Sequence, residues 1–172
     1  TRSGKQQTGF IDIIPRTQWT KLKVKGNVTA MGAIKRITVH HTAVGRSALN
    51  KTTDLKLLNS MENSHRRKNW ACIGYHYIIG RDGKIYEGRQ IKFQGAHASP
   101  QNSNNLGISL IGNFNKTMPT KSQMSTLEKL LMKLRIQYKV AADRVYGHGH
   151  IDQTACPGTL LKKWLEVYQT RR

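Results

Sequence analysis

The stretch IGYHYIIGRDGKIYEGR, Ile73 to Arg89, decides the fold class. Tyr75 to Ile79 is rich in aromatic and β-branched residues, Arg81-Asp82-Gly83 supplies turn chemistry, and Lys84 to Glu87 returns as a second strand. The segment predicts a β-hairpin. Upstream, IKRITVHHT from Ile34 sets Ile34, Ile37 and Val39 among polar and histidine positions, and its β-branched content favours a strand. Downstream, LGISLIGNF, Leu106 to Phe114, is an apolar run ending in Gly and Asn, the pattern of a buried strand.

Helical spacing surrounds these strands. Leu55, Leu58 and Met61 recur at helical period within Ser47 to Asn63. Thr120 followed three residues later by Gln123 reads as a capping box ahead of Met124, Leu127, Leu131, Leu134 and Tyr138. A closing helix over Leu160 to Tyr168 carries Leu160, Leu161, Trp164, Leu165 and Tyr168 on one face, whereas RVYGHGHIDQTACPG, Arg144 to Gly158, reads as a loop. The order β, α, β, β, β, α, α predicts a single α/β domain with a central mixed sheet flanked by helices. Residues 1–10 are polar and read as a flexible arm, so the domain is expected to span 11–172.

Composition narrows the function classes. The 172 residues carry 29 Lys+Arg against 9 Asp+Glu, a formal charge of +20, and 37% apolar residues, enough for one core. The longest uninterrupted apolar runs are only a few residues, such as Tyr77-Ile78-Ile79, so no membrane-spanning helix is expected. A charge this large makes a polyanion an expected neighbour. Specific nucleic-acid recognition is not expected, because the chain has neither a two-Cys, two-His finger nor an aromatic-studded RNA platform. Cys72 and Cys156 permit at most one internal disulfide.

The chemistry-bearing residues are histidines and one cysteine. His40 and His41 end a predicted strand, and His148 and His150 sit in a Gly-rich loop shortly before Cys156. Imidazole and thiolate are ligands zinc prefers, and three of them with an open fourth position would make a catalytic site. Adjacent strand residues face opposite sides, so only one of His40 and His41 is expected to reach a metal. His148 and His150 are rivals by spacing, and Cys156 on its own reads by default as an inert buried thiol.

VHHTA at Val39 to Ala43, the hairpin segment, GAHA at Gly95 to Ala98, LGISLIGNF and GHGHIDQTACPG at Gly147 to Gly158 occur in this order. Together they resemble the type 2 N-acetylmuramoyl-L-alanine amidases, the group that includes the bacteriophage T7 lysozyme and the peptidoglycan recognition proteins. The resemblance covers roughly residues 12 to 168. It implies a zinc cleft on one side of the sheet, with His40, His148 and Cys156 as zinc ligands and Tyr75 as the tyrosine that assists catalysis. Thr154 stands where the T7-like branch has a lysine, as in catalytically active recognition proteins, and is expected to assist by orientation. Retention of Cys156 favours an enzyme over a binding-only module. His97, Arg89 and His41 are expected near the substrate.

The implied activity is zinc-dependent hydrolysis of the amide between N-acetylmuramic acid and L-alanine in peptidoglycan. The implied partners are the muropeptide stem and, through the basic surface, anionic envelope polymers. The expected form is a monomer acting outside the cytoplasm, whether secreted, periplasmic, in the wall or released by phage lysis; the chain shows no signal peptide. Animal recognition proteins carry a disulfide just after the VHHTA-like strand. With no cysteine between His41 and Cys72, this chain looks more like a bacterial or phage relative.

Overall fold

The hairpin forms, but its first strand begins at Tyr77 and not at Tyr75 as expected. In the computed structural model, which describes residues 11–171, β3 (Tyr77–Ile79) and β4 (Ile85–Glu87) pair antiparallel with Ile78 opposite Tyr86. The expected arm at 1–10 lies outside the described residues. Gly83 turns the chain at φ +86°, which a side chain would strain, and its N–H donates to the Gly80 carbonyl at 2.9 Å.

All other pairings in the sheet are parallel. β5 (Asn105–Leu110) lies beside β3, β2 (Arg36–His41) beside β5, and β6 (Val145–Gly147) beyond β2. β1 (Ile13–Ile14) pairs with β4 on the other side. The order β1-β4-β3-β5-β2-β6 makes a mixed six-stranded sheet, as expected.

Successive residues of a strand face opposite sides, and the core divides accordingly. Ile37, Val39, Ile79, Ile108 and Leu110 pack with Leu127, Leu130 and Leu131 of α4 (Lys121–Tyr138) and with Leu161 and Leu165 of α5 (Thr159–Gln169). Ile78, Tyr86 and Ile111 pack instead with Leu58 of α3 (Asp54–Arg67) and Trp19 of α1 (Arg16–Trp19). The capping box that starts α4 is formed: Thr120 Oγ1 accepts from the Gln123 N–H, and Gln123 Oε1 accepts from the Thr120 N–H, both at 3.1 Å.

Three expectations are corrected. The segment opening RVYGHGH is not all loop, because Val145 to Gly147 forms β6 by parallel pairing to Ile37, Thr38 and Val39. Three residues are too few to show a strand period, so tertiary pairing alone makes this element. The helix expected from Ser47 is two helices, α2 (Arg46–Leu49) and α3. Thr53, extended at φ −95°, ends the continuity and caps α3 by accepting from the Lys56 N–H, which leaves Leu55 half-exposed and not in the core. β1 and α1 had no counterpart among the expected elements, since a two-residue strand and a four-residue helix lie below what periodicity can detect.

Candidate metal centre and cleft

His40, the next-to-last residue of β2, faces the side away from the α4 and α5 layer, since Val39 before it packs into that layer. Its ring is buried, and its Nδ1 lies 3.5 Å from Cys156 Sγ. The His148 ring approaches from the turn after β6, with its centroid 4.6 Å from that of His40. One ligand atom from each of His40, His148 and Cys156 lies within 4.8 Å of the other two.

These three groups fit a zinc ion. Bond lengths near 2.0 Å to nitrogen and 2.3 Å to sulfur put ligand atoms roughly 3.3–3.7 Å apart around a tetrahedral ion, the range in which His40 Nδ1 and Cys156 Sγ stand at 3.5 Å. His148 Nε2 is buried without a hydrogen-bond partner among the described residues, standing 3.5 Å from Asp152 Oδ2 in a geometry that makes no hydrogen bond. Burial pushes the Cys156 thiol up to about 11, partly offset by the His41 N–H that donates to its sulfur at 3.4 Å. Burial, then repulsion from His97 and His148, holds His40 well below the usual imidazole range. The metal-free cluster is therefore a thiol beside neutral imidazoles, and a divalent cation would supply the charge that draws the thiol proton off.

The loop that presents Cys156 is closed by its own backbone. The Gly149 N–H donates to the Cys156 carbonyl at 2.6 Å, and Lys162 Nζ donates to the Gly149 carbonyl at 3.0 Å. Thr154 is exposed, with its hydroxyl accepting from the Cys156 N–H at 3.2 Å, so it shapes the ligand turn. His150 leaves the contest with His148: its Nδ1 accepts from the Gly147 N–H at 2.9 Å, and its Nε2 faces Glu166 Oε1 at 3.4 Å. Cys72 and Cys156 are both free thiols, so no disulfide competes with a metal.

Tyr75 adjoins the cluster, its ring centroid 5.1 Å from that of His40. Burial, then the neighbouring Cys156, pushes its hydroxyl up to about 12, so it remains a proton donor at neutral pH. Together with Thr42, Leu57, Ser60, Met61 and His65 it lines a cleft of about 240 Å³ against α3. Helical period picked out Leu58 and Met61 of that helix. The cleft wall of Leu57, Ser60 and His65 escaped it, because polar positions on an amphipathic helix look the same whether they face water or substrate.

The three residues expected near the substrate, Arg89, His41 and His97, each bond within the protein. Arg89 is buried and spends its guanidinium on main-chain carbonyls: Nε donates to Ile73 at 3.1 Å, and the terminal nitrogens to Gln94 at 2.9 Å and Cys72 at 3.1 Å. Since the Arg89 N–H also donates to the Tyr75 carbonyl at 2.7 Å, this residue clamps the segment that carries Tyr75. His41 turns to the opposite side from His40, where its Nδ1 accepts from the Phe114 N–H at 3.2 Å. His97 is buried behind His40 with both ring nitrogens engaged, Nδ1 at 3.0 Å from His40 Nε2 and Nε2 at 3.2 Å from the Asn105 carbonyl.

The other side of the same segment is held by a buried carboxylate. Glu62 of α3 takes Arg16 at 2.6 Å and Arg66 at 3.3 Å on Oε1, and accepts the Ile73 N–H on Oε2 at 2.7 Å. A buried charge without such partners would cost several kcal/mol. Glu62 and Arg89 thus fix Cys72 to Tyr75 from two directions.

A profile of the N-acetylmuramoyl-L-alanine amidase family matches residues 30–159, which span all three cluster residues and Tyr75. The chain belongs to this family. The family includes both catalytic amidases and non-catalytic peptidoglycan recognition proteins. Among its relatives, peptidoglycan-recognition protein SD of Drosophila simulans is 33% identical over 162 residues, covering 91% of this chain and 87% of the relative. The N-acetylmuramoyl-L-alanine amidase LysC from Clostridium intestinale superposes with a TM-score of 0.77 at 26% identity, covering 94% of this chain and 99% of the amidase. Peptidoglycan recognition protein-LE, solved in complex with tracheal cytotoxin, a monomeric diaminopimelic acid-type peptidoglycan, superposes with a TM-score of 0.78 at 30% identity, covering 90% and 92%.

Proposed function

We propose that this amidase-family chain hydrolyses the amide between N-acetylmuramic acid and L-alanine in peptidoglycan, with zinc held by His40, His148 and Cys156. The observation that carries the reading is that cluster, with its ligand atoms within 4.8 Å of one another beside a cleft lined by Tyr75. Zinc, when bound, supplies Lewis acidity toward the amide carbonyl and a nucleophile from water near neutral pH. The chain's own residues do the rest. Tyr75, protonated at neutral pH, donates a hydrogen bond to the oxygen that gains charge as the amide is attacked. The α3 wall of the cleft orients the stem peptide, and Thr154 holds the turn that presents Cys156.

The muropeptide is the substrate, and the +20 charge supports attraction to anionic envelope polymers around it. The site of action is the cell wall, outside the cytoplasm, and the chain acts as a monomer. The lack of cysteine between His41 and Cys72 favours a bacterial or phage source, whereas the insect recognition proteins among its sequence relatives favour a second reading, binding without cleavage. Mass spectrometry of soluble products from purified peptidoglycan separates the two. Intact stem peptides with a free L-Ala amine, lost on chelation and restored with zinc, are expected. A zinc-loaded protein that pellets with the wall but releases nothing would establish the binding module instead.

A further inference from the structure

Behind the metal cluster lies a chain of buried polar groups that the proposed chemistry does not use directly. It starts at a main-chain carbonyl and ends at a candidate ligand atom. We infer that His97 is a positioning residue which, anchored on the Asn105 carbonyl, fixes the proton of His40 on Nε2 and leaves His40 Nδ1 as the atom that faces the metal.

A carbonyl oxygen only accepts, so the Asn105 carbonyl, 3.2 Å from His97 Nε2, requires the proton on that nitrogen. A neutral imidazole carries one N–H, so His97 Nδ1 presents a lone pair. That lone pair lies 3.0 Å from His40 Nε2, which therefore donates. His40 Nδ1 is left bare, and it is the nitrogen that stands 3.5 Å from Cys156 Sγ. Each assignment forces the next, and the only free choice was made by the carbonyl.

The surroundings prevent the chain from running backwards. Reversal needs a second proton on His97, yet the ring is buried and no carboxylate pairs with it among the described residues. His76, whose ring centroid is 5.8 Å away, offers it no proton: His76 Nδ1 accepts from the Gly107 N–H at 2.9 Å and Nε2 donates to the Phe93 carbonyl at 3.0 Å. The anchor is itself held in β5, where Asn105 Oδ1 accepts from Thr38 Oγ1 at 2.9 Å and Nδ2 donates to the Gln101 carbonyl at 2.7 Å. Asn102 Oδ1 takes the N–H groups of His97 and Ala98 at 2.9 and 2.8 Å. Gly107 makes room for the ring, since a Cβ there would meet His97 Cδ2 at 2.5 Å.

The inference rests on His40 being a metal ligand, but its test does not need turnover. The metal-free protein, labelled with ¹⁵N-histidine, reports the tautomer of His40 by NMR, and competition with a chromophoric chelator reports zinc affinity. The wild type is expected to show His40 protonated on Nε2. His97→Gln, whose amide oxygen accepts from His40 while its NH₂ donates to Asn105, is expected to keep both the tautomer and the affinity. His97→Leu is expected to scramble the tautomer and weaken zinc by roughly ten- to a hundredfold, the range for losing a partner that orients a metal-bound histidine. A wild-type His40 protonated on Nδ1 overturns the inference, as does a folded His97→Leu with unchanged affinity. If His97→Leu does not fold, the wild-type tautomer and His97→Gln still decide. A fixed tautomer with tight zinc binding but no hydrolysis would overturn the amidase reading alone.

Discussion

Ile37 and Val39 point from β2 into the apolar layer beneath α4 and α5, whereas Thr38 and His40, on the same strand and equally buried, face the side of α3. On the first side the neighbours are Leu, Ile and Val, and stability comes from area removed from water and close packing. On the second, His40, His76, His97 and Asn105 are buried in a lattice in which ring nitrogens meet carbonyls, N–H groups or one another. Polar groups so deep are tolerated because they are paired. The pairing also dictates where protons sit, which an apolar core cannot do. One strand therefore gives the protein both its stability and the orientation of its chemistry, and the two should separate under mutation.

The largest effect is expected at the site. Cys156→Ser is predicted to abolish zinc retention and turnover, while circular dichroism and the thermal transition stay near wild type because the turn is held by main-chain bonds such as Gly149 N–H to the Cys156 carbonyl. Undiminished hydrolysis by this variant would remove Cys156 from the ligand set. The opposite pattern is expected on the apolar side. Leu127→Ala leaves a cavity in a fully buried position and should cost about 2–5 kcal/mol in urea unfolding. Zinc affinity of the folded fraction should change by less than about twofold, as for distant sites with no shared partners. A parallel loss of zinc affinity would show that the two sides are mechanically coupled.

Tyr75→Phe keeps the ring and removes the donor. With zinc bound, kcat is expected to fall roughly ten- to a thousandfold with KM little changed, the scale of losing one transition-state hydrogen bond. An unchanged kcat would return Tyr75 to packing. A pH titration probes the same side through stability. Burial lowers His76 from 6.5 to about 4, so between those values the unfolded chain binds a proton that the native chain does not. Stability should therefore fall as pH drops from about 6.5 toward 4, His76 contributing a slope of up to about 1.4 kcal/mol per pH unit. His76→Gln should reduce that slope by the share of His76 alone, since His40, His65 and His97 are also held low by burial, as seen in urea midpoints at pH 7, 6 and 5.

Local pattern made the apolar side legible. The hairpin, the β5 run, the capping box of α4 and the leucines of α5 each carry their signal within a dozen residues. β6 was hidden because its strand character comes from pairing with Ile37 to Val39, more than 100 residues away in sequence. On the polar side, resemblance singled out His40, His148, Cys156 and Tyr75, and the fold brings these four together. It could not distinguish groups that meet substrate from groups that hold the site. Arg89 and His97 carry polar side chains in the same motifs, and only burial and partner atoms show that they serve carbonyls and His40. His76 and Glu62 were not singled out at all, since a lone buried His or Glu has no sequence period.

The smallest predicted effect lies where the apolar layer meets the hairpin. Thr120 does two things at the start of α4: its hydroxyl accepts from the Gln123 N–H at 3.1 Å and donates to the Arg81 carbonyl in the hairpin turn at 2.8 Å. Thr120→Ala should cost about 1 kcal/mol, the typical value for an N-cap. Gln123 adds a second tie, its Nε2 donating to the Ile111 carbonyl at 2.9 Å just beyond β5, so Gln123→Ala removes both a reciprocal cap and a buried partner and should cost more. Neither residue contacts the metal cluster, and turnover at saturating substrate should be unchanged in both variants. If Thr120→Ala lowered kcat while leaving the unfolding midpoint alone, the hairpin turn would be transmitting to Tyr75 through β3, and the two sides of the sheet would be one mechanical unit.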